Sequence, residues 1–174
     1  VLVARRNSRT KFPNVVRPAN KKRVPKAWLL PSERILLTLQ FWNGDRQQAM
    51  KLARFIADLE PEMNDRADFL FVSRFDTPQD IKTVEYVSSK FRVYTHKSRR
   101  RGVGWPIGCN ELWAGATSYV YQSIASKKMP AYKAILTFEA DCVPMQHGWI
   151  DRLSKQWSEE KVKRHGALCA MGAW

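Results

Sequence analysis

At 174 residues the chain is long enough for one well-cored domain and too short for two comfortable ones. Hydrophobic content of 44% and charged content of 26% are those of an ordinary folded domain, and neither an export signal nor an apolar run of about 18 residues is present, so no membrane span is expected. The net charge of +14 is the unusual quantity. It calls for a polyanionic partner, with nucleic acid (DNA favoured) ahead of an anionic membrane surface, unless the basic excess is merely a solvated tail.

Residues 1–34 hold ten of the Lys and Arg residues against the single acid Glu33, with prolines at 13, 18, 25 and 31. They read as a basic, extended arm that docks only through Ala27 to Leu30. An α/β domain is expected over 35–174. Ile35 to Trp42 is an apolar, interior strand, broken by Asn43-Gly44. Asn43 or Asp45 can cap the helix that follows over about 45–60, where Ala49, Leu52, Ala53, Ile56 and Leu59 share a stripe.

Ala67 to Arg74 reads as a second strand. Thr77-Pro78-Gln79-Asp80 has the form of a helix start, Thr capping and Pro first, for a helix carrying Ile81, Val84 and Val87 inward and ending near Lys90. Phe91 to His96 alternates in character and suits a strand near a sheet edge. A basic, glycine-rich loop over 97–108 leads into a helix from Asn110 to Ala125, with Leu112, Trp113, Ala116, Val120 and Ile124 at helical spacing. Ala134 to Phe138 is a fourth strand, followed by a helix over about 147–164 with Ile150, Leu153 and Trp157 inward. Ala167 to Met171 makes a fifth strand. Strand-helix alternation of this kind predicts a mostly parallel sheet with helices on both faces.

In such sheets ligands collect beyond the carboxyl ends of the strands. The fourth strand runs into Glu139-Ala140-Asp141 and is stopped by Pro144. In an extended chain residues two apart point the same way, so Glu139 and Asp141 project together. Two adjacent carboxylates suit a hard ion, Mg²⁺ or Mn²⁺, shared with substrate phosphates; the alternative is two acids bending into solvent. At the same edge Phe41 and Trp42 suit stacking on a base or sugar, or core packing. Asp76 can accept from a base or ribose, or simply make a turn. Arg99, Arg100 and Arg101, with glycines 102, 104 and 108, suit phosphate through guanidinium and backbone N–H groups. Asn110 can cap its helix or touch the ligand.

His96, His147 and His165 form no triad with a serine or cysteine. His147 can approach a metal, although a surface helix start suits it better. The cysteines, 109, 142 and 169, have no zinc spacing. A reducing, cytoplasmic setting is expected, with Cys142 and Cys169 as small buried residues.

The order of elements, Gly108-Cys109-Asn110 before a helix, and Phe138 to Pro144 followed by Trp149-Ile150-Asp151-Arg152-Leu153 together resemble nucleotide-sugar glycosyltransferases of the GT-A fold over about residues 35–174. Glu139-Ala140-Asp141 stands where that family has Asp-x-Asp. The resemblance implies that Asp141 ligates Mn²⁺ or Mg²⁺ bridging the donor diphosphate, with Glu139 at the ribose or at the metal through water. It also implies that Phe41, Trp42, Asn43 and Asp76 border the nucleotide, with Gly108 and Asn110 near the donor. Glu in place of the first Asp departs from the commonest pattern and bears on the ribose contact.

A catalytic base is not identifiable. For an inverting reaction it is expected beyond Trp174, in an acceptor half, and the start at Val1 and end within an apolar run suggest a piece of a longer protein. The basic balance suits an acceptor such as hydroxymethylated DNA bases, a known target of viral sugar transferases. The rival expectations are a non-catalytic nucleic-acid-binding module and a metal-dependent nuclease or nucleotidyltransferase.

Overall fold

The computed structural model describes residues 32–144 and 146–159. Four parallel strands form one sheet: β1 (Ser32–Phe41), β2 (Ala67–Arg74), β3 (Arg92–Ser98) and β4 (Tyr132–Phe138), in the spatial order β3-β2-β1-β4. The intervening helices are α1 (Arg46–Asp58), α2 (Ile81–Ser88) and α3 (Ile107–Ala125), with α4 (Trp149–Glu159) following β4. The α/β class expected from the alternation is therefore what the chain adopts.

Strand order dictates the layers. From β1 the chain steps to β2 and β3 in one direction, then returns across the sheet to place β4 on the far side of β1. Right-handed crossovers running in opposite directions must lie on opposite faces. Two cores result. On one face Leu37, Leu39, Phe69 and Phe71 pack against Ala49, Leu52, Ala53 and Ile56 of α1, Val87 of α2, and Trp149 and Ile150 of α4. On the other, Leu36, Leu70 and Val72 pack against Leu112, Ala116 and Val120 of α3. β2 is buried along nearly its whole length because both of its faces are covered, whereas β3 at the edge is half-exposed. Phe69, fully buried, packs its ring at a tilt against Phe71 at 4.8 Å and Phe91 at 5.9 Å.

A buried ionic network ties β1, β2 and β4 together below the core. Asp68 is fully buried; it accepts from the Arg34 guanidinium and, at 2.8 Å, from the Tyr132 hydroxyl. Burial and the Asp68 carboxylate together hold the Tyr132 phenol far above its ordinary range.

Several boundaries differ from expectation. β1 begins at Ser32, so Ser32 to Arg34 belong to the sheet and not to the basic arm; residues 1–31 lie outside the described residues. The α2 cap is Asp80, whose carboxylate accepts from Thr83 N–H, and not Thr77, which is buried beneath the loop. The helix accordingly turns Ile81 outward, 66% exposed, and Thr83 inward. β4 lies at the edge of the described sheet and is half-exposed, beginning at Tyr132, two residues before the expected Ala134. The expected fifth strand, Cys169, His165 and the end of the last helix lie outside the described residues. Among the described residues no helix is long and apolar enough to cross a membrane.

Candidate functional site

β1 and β4 are neighbours at the point where the strand order reverses, and beyond their carboxyl ends, the usual ligand position in an open parallel sheet, lies a crevice. Here it is a cleft of about 390 Å³. Its walls come from three places: the end of β1, the turn after β4, and the start of α3.

After β1, Trp42 N–H donates to Asp45 Oδ1 at 2.8 Å, which closes the turn into α1. Asp45 holds the cap position of α1, but its carboxylate is spent on that turn and not on the helix. The Trp42 indole lies directly over Gly44: a Cβ there would stand 2.3 Å from the ring. Trp42 is thus a half-exposed flat surface facing the cleft, while Phe41 beside it is buried edge-on against Phe71 at 6.4 Å. For Phe41 the core reading holds; Trp42 keeps the stacking surface.

After β4, the strand stops at Phe138 and the chain turns, with Cys142 N–H donating to Glu139 O at 3.1 Å. The extended geometry expected for Glu139 and Asp141 is therefore absent. The turn still leaves both exposed, either side of buried Ala140, and both line the cleft. Cys142, expected in a buried position, is exposed in this turn.

From the loop before α3 comes Trp105, and from α3 itself Cys109, Asn110 and Trp113. The helix starts at Ile107, three residues before Asn110, so Asn110 lines the cleft from within the first turn and is not the cap. Trp113, expected inward, is 56% exposed on the cleft wall. Gln40, on the α3 face of β1, closes the floor with a buried Nε2 that has no hydrogen-bond partner among the described residues.

Three carboxylates thus share one cleft. Burial and then the charge of Asp141 raise the Asp45 carboxyl above its ordinary range, against the opposing pull of its hydrogen bonds. The Cys109 thiol is likewise raised, by burial first and then by Glu139 and Asp45. Each acid is felt across the cleft by a group on another element, which is the electrostatic condition a cation relieves. Among the described residues no group of three or more His, Cys, Asp or Glu side chains could hold a metal unaided. Glu139 and Asp141 offer hard carboxylate oxygens, the donor type that Mg²⁺ or Mn²⁺ takes where substrate phosphate and water make up the rest of the shell.

Other expected residues lie elsewhere. Asp76 is taken up by Arg74, whose Nε donates to Oδ1 at 2.8 Å in a two-pronged pair that holds the carboxyl below its ordinary range. It does not line the cleft, nor does Asn43. Gly108 is a packing position: a Cβ would stand 3.3 Å from the backbone of Gly102 and Val103. The glycine-loop amides are also largely committed, Gly102 N–H to the Glu111 carboxylate and Gly108 N–H to Gly104 O, so that loop offers guanidinium groups and not a backbone cradle. His147 Nδ1 lies 3.0 Å from Leu59 O at the far end of α1, away from the carboxylates.

Residues the sequence did not mark as a site are Gln40, Asp45, Trp105, Cys109 and Trp113. An exposed Trp beside Pro106 at a loop–helix junction was the one signal available for Trp105. No protein family, curated protein or solved structure matches the chain.

Proposed function

We propose that this domain binds a nucleoside-diphosphate sugar through a divalent cation and transfers the sugar to an acceptor, as in glycosyltransferases of the GT-A type. The observation that carries the reading is the meeting of Glu139, Asp141 and Asp45 with the Trp42 surface in one cleft at the strand-order reversal.

In this reading Asp141 and Glu139 hold the ion, each through carboxylate oxygens. When bound, Mn²⁺ or Mg²⁺ supplies Lewis-acid stabilisation of charge developing on the leaving diphosphate. The protein's own groups do the rest. Trp42 offers its indole face to the base or sugar. The Gln40 amide, whose Nε2 has no partner among the described residues, donates to a ligand oxygen. Asn110 contributes a carboxamide able to donate and accept. Asp45 braces the Trp42 turn while adding negative potential that favours the cation.

The test is a thermal-shift panel of nucleotides with and without Mn²⁺ on the wild-type chain and on Asp141→Asn. Stabilisation by nucleoside diphosphates or nucleotide sugars that needs Mn²⁺, and that Asp141→Asn abolishes without lowering the unliganded melting temperature, is expected. Indifference to every nucleotide, or equal shifts in Asp141→Asn, would overturn the assignment.

A further inference from the structure

Beside the carboxylate cleft runs a rim of a different chemistry. The end of β3 and the chain after it carry Lys97, Arg99, Arg100 and Arg101, all exposed, and then Trp105, 80% exposed, with Trp113 on the following helix turns. None of the three consecutive arginines has a carboxylate within ion-pair distance among the described residues. A further exposed ring, Phe75, lies under both Arg74 and Arg101 at 5.6 Å each.

The loop that carries these groups is held in place. Glu111 of α3 accepts from Gly102 N–H. Gly115 lets α3 approach so closely that a Cβ there would meet Ser98 Oγ at 2.5 Å, with Arg100 alongside. Cations without an acidic partner among the described residues, interleaved with exposed aromatic rings on a pinned loop, match one class of polymer: a strand with regularly spaced phosphates and flat bases not already stacked on a complement.

We infer that this rim binds single-stranded nucleic acid, with the phosphate backbone along Arg99–Arg101 and one or more bases stacked on Trp105 and Trp113 at the mouth of the cleft. The carboxylates set the orientation. With no cation bound, Asp45, Glu139 and Asp141 repel phosphate from the cleft itself, so the backbone stays on the arginine loop and uncharged bases turn inward. Duplex DNA fits poorly, since its bases are already stacked and hidden from the indoles. The inference concerns the arginine loop and the Trp105 and Trp113 rings, groups the donor reading does not use. It stands whether or not a sugar is transferred, and it names the acceptor class if one is.

The experiment uses the whole chain and a short labelled oligothymidylate. Wild type should bind it more tightly than the same sequence in a duplex and quench part of the tryptophan emission. Trp105→Ala with Trp113→Ala should weaken binding by about tenfold or more and remove that part of the quench, because each stacked base is worth roughly 1–3 kcal/mol. Both rings are more than half exposed, so the melting temperature should hold. Replacing Arg99, Arg100 and Arg101 by Ser should flatten the dependence of log affinity on log salt by about 2, at roughly 0.7 per phosphate.

Duplex preference, or wild-type affinity and quench in the double tryptophan variant, would overturn the inference and leave residues 1–34 as the source of any binding. Mn²⁺-dependent nucleotide binding, measured in parallel on the same variants, separates failure here from failure at the carboxylates.

Discussion

Gly44→Ala separates affinity from stability more cleanly than removal of any functional side chain. Gly44 has no left-handed backbone requirement, so alanine is tolerated by the main chain and should raise stability by about 0.4–1 kcal/mol through the unfolded state. The new methyl carbon, however, would stand 2.3 Å from Trp42 Cζ2 and 2.4 Å from Cη2. Ordinary carbon–carbon contact begins at about 3.5 Å, so the indole must retreat by about 1 Å or more. Trp42 is half-exposed and free to swing, which makes the retreat cheap for folding but moves the stacking surface out of register with the cleft.

Loss of one base-stacking contact, roughly 1–3 kcal/mol, corresponds to about 5- to 150-fold in dissociation constant. The assay is isothermal titration of nucleoside diphosphate in Mn²⁺ alongside urea denaturation. Weakened binding with equal or higher stability is expected. Unchanged affinity would mean that Trp42 does not contact the ligand, and a stability loss above about 1 kcal/mol would mean that the ring is a core element after all.

Three further outcomes follow from the geometry. Asp68→Ala removes the acceptor of both Arg34 and Tyr132 in a fully buried site and should cost about 3 kcal/mol, a fall in melting temperature on the order of 10 °C; a fall of only a degree or two would show the network to be incidental. His96, stacked on Tyr119 at 4.2 Å, has its pKa lowered by burial and then by Arg99. The folded state therefore binds this proton less readily than the unfolded chain: stability is full above pH 6.5 and declines as pH falls below it, and His96→Phe should flatten that part of the pH–stability profile. Cys109, with its thiol raised by burial, Glu139 and Asp45, should alkylate slowly at pH 7 and faster in Glu139→Gln; equal rates would separate the thiol from the carboxylates.

The layered architecture was readable because its signals are local and redundant. Phe69 to Val72 is apolar on both faces of an extended chain, and α1 repeats Ala49, Leu52, Ala53 and Ile56 at helical spacing, so burial and period agree. The site was readable only in part, since a cleft is made by elements far apart in sequence. Trp113 shares the helical stripe of Leu112 and Ala116, and periodicity does not distinguish a ring packed in the core from one standing at the end of the sheet where the core stops. Asp76 had its competitor two residues away in Arg74, a pairing that the turn geometry decided. Glu139 and Asp141 were found by composition for a reason that did not hold: the strand ended one residue too early for alternation to act, and a turn brought them to the same hollow.

The placement of β4 on the outer flank of β1 has a consequence for the order of events in folding. Its pairing partners are about 100 positions away along the chain, Leu37 with Leu136 and Thr38 with Thr137, so this ladder closes the longest loop in the sheet and is slow to form. Until that last rail is laid, the pocket has only one bank. Occupancy and docking of β4 are thereby thermodynamically coupled: whatever fills the hollow also clamps the strand that flanks β1, and slower amide hydrogen exchange should spread from Thr137 down to Ala134, beyond any atom the occupant touches.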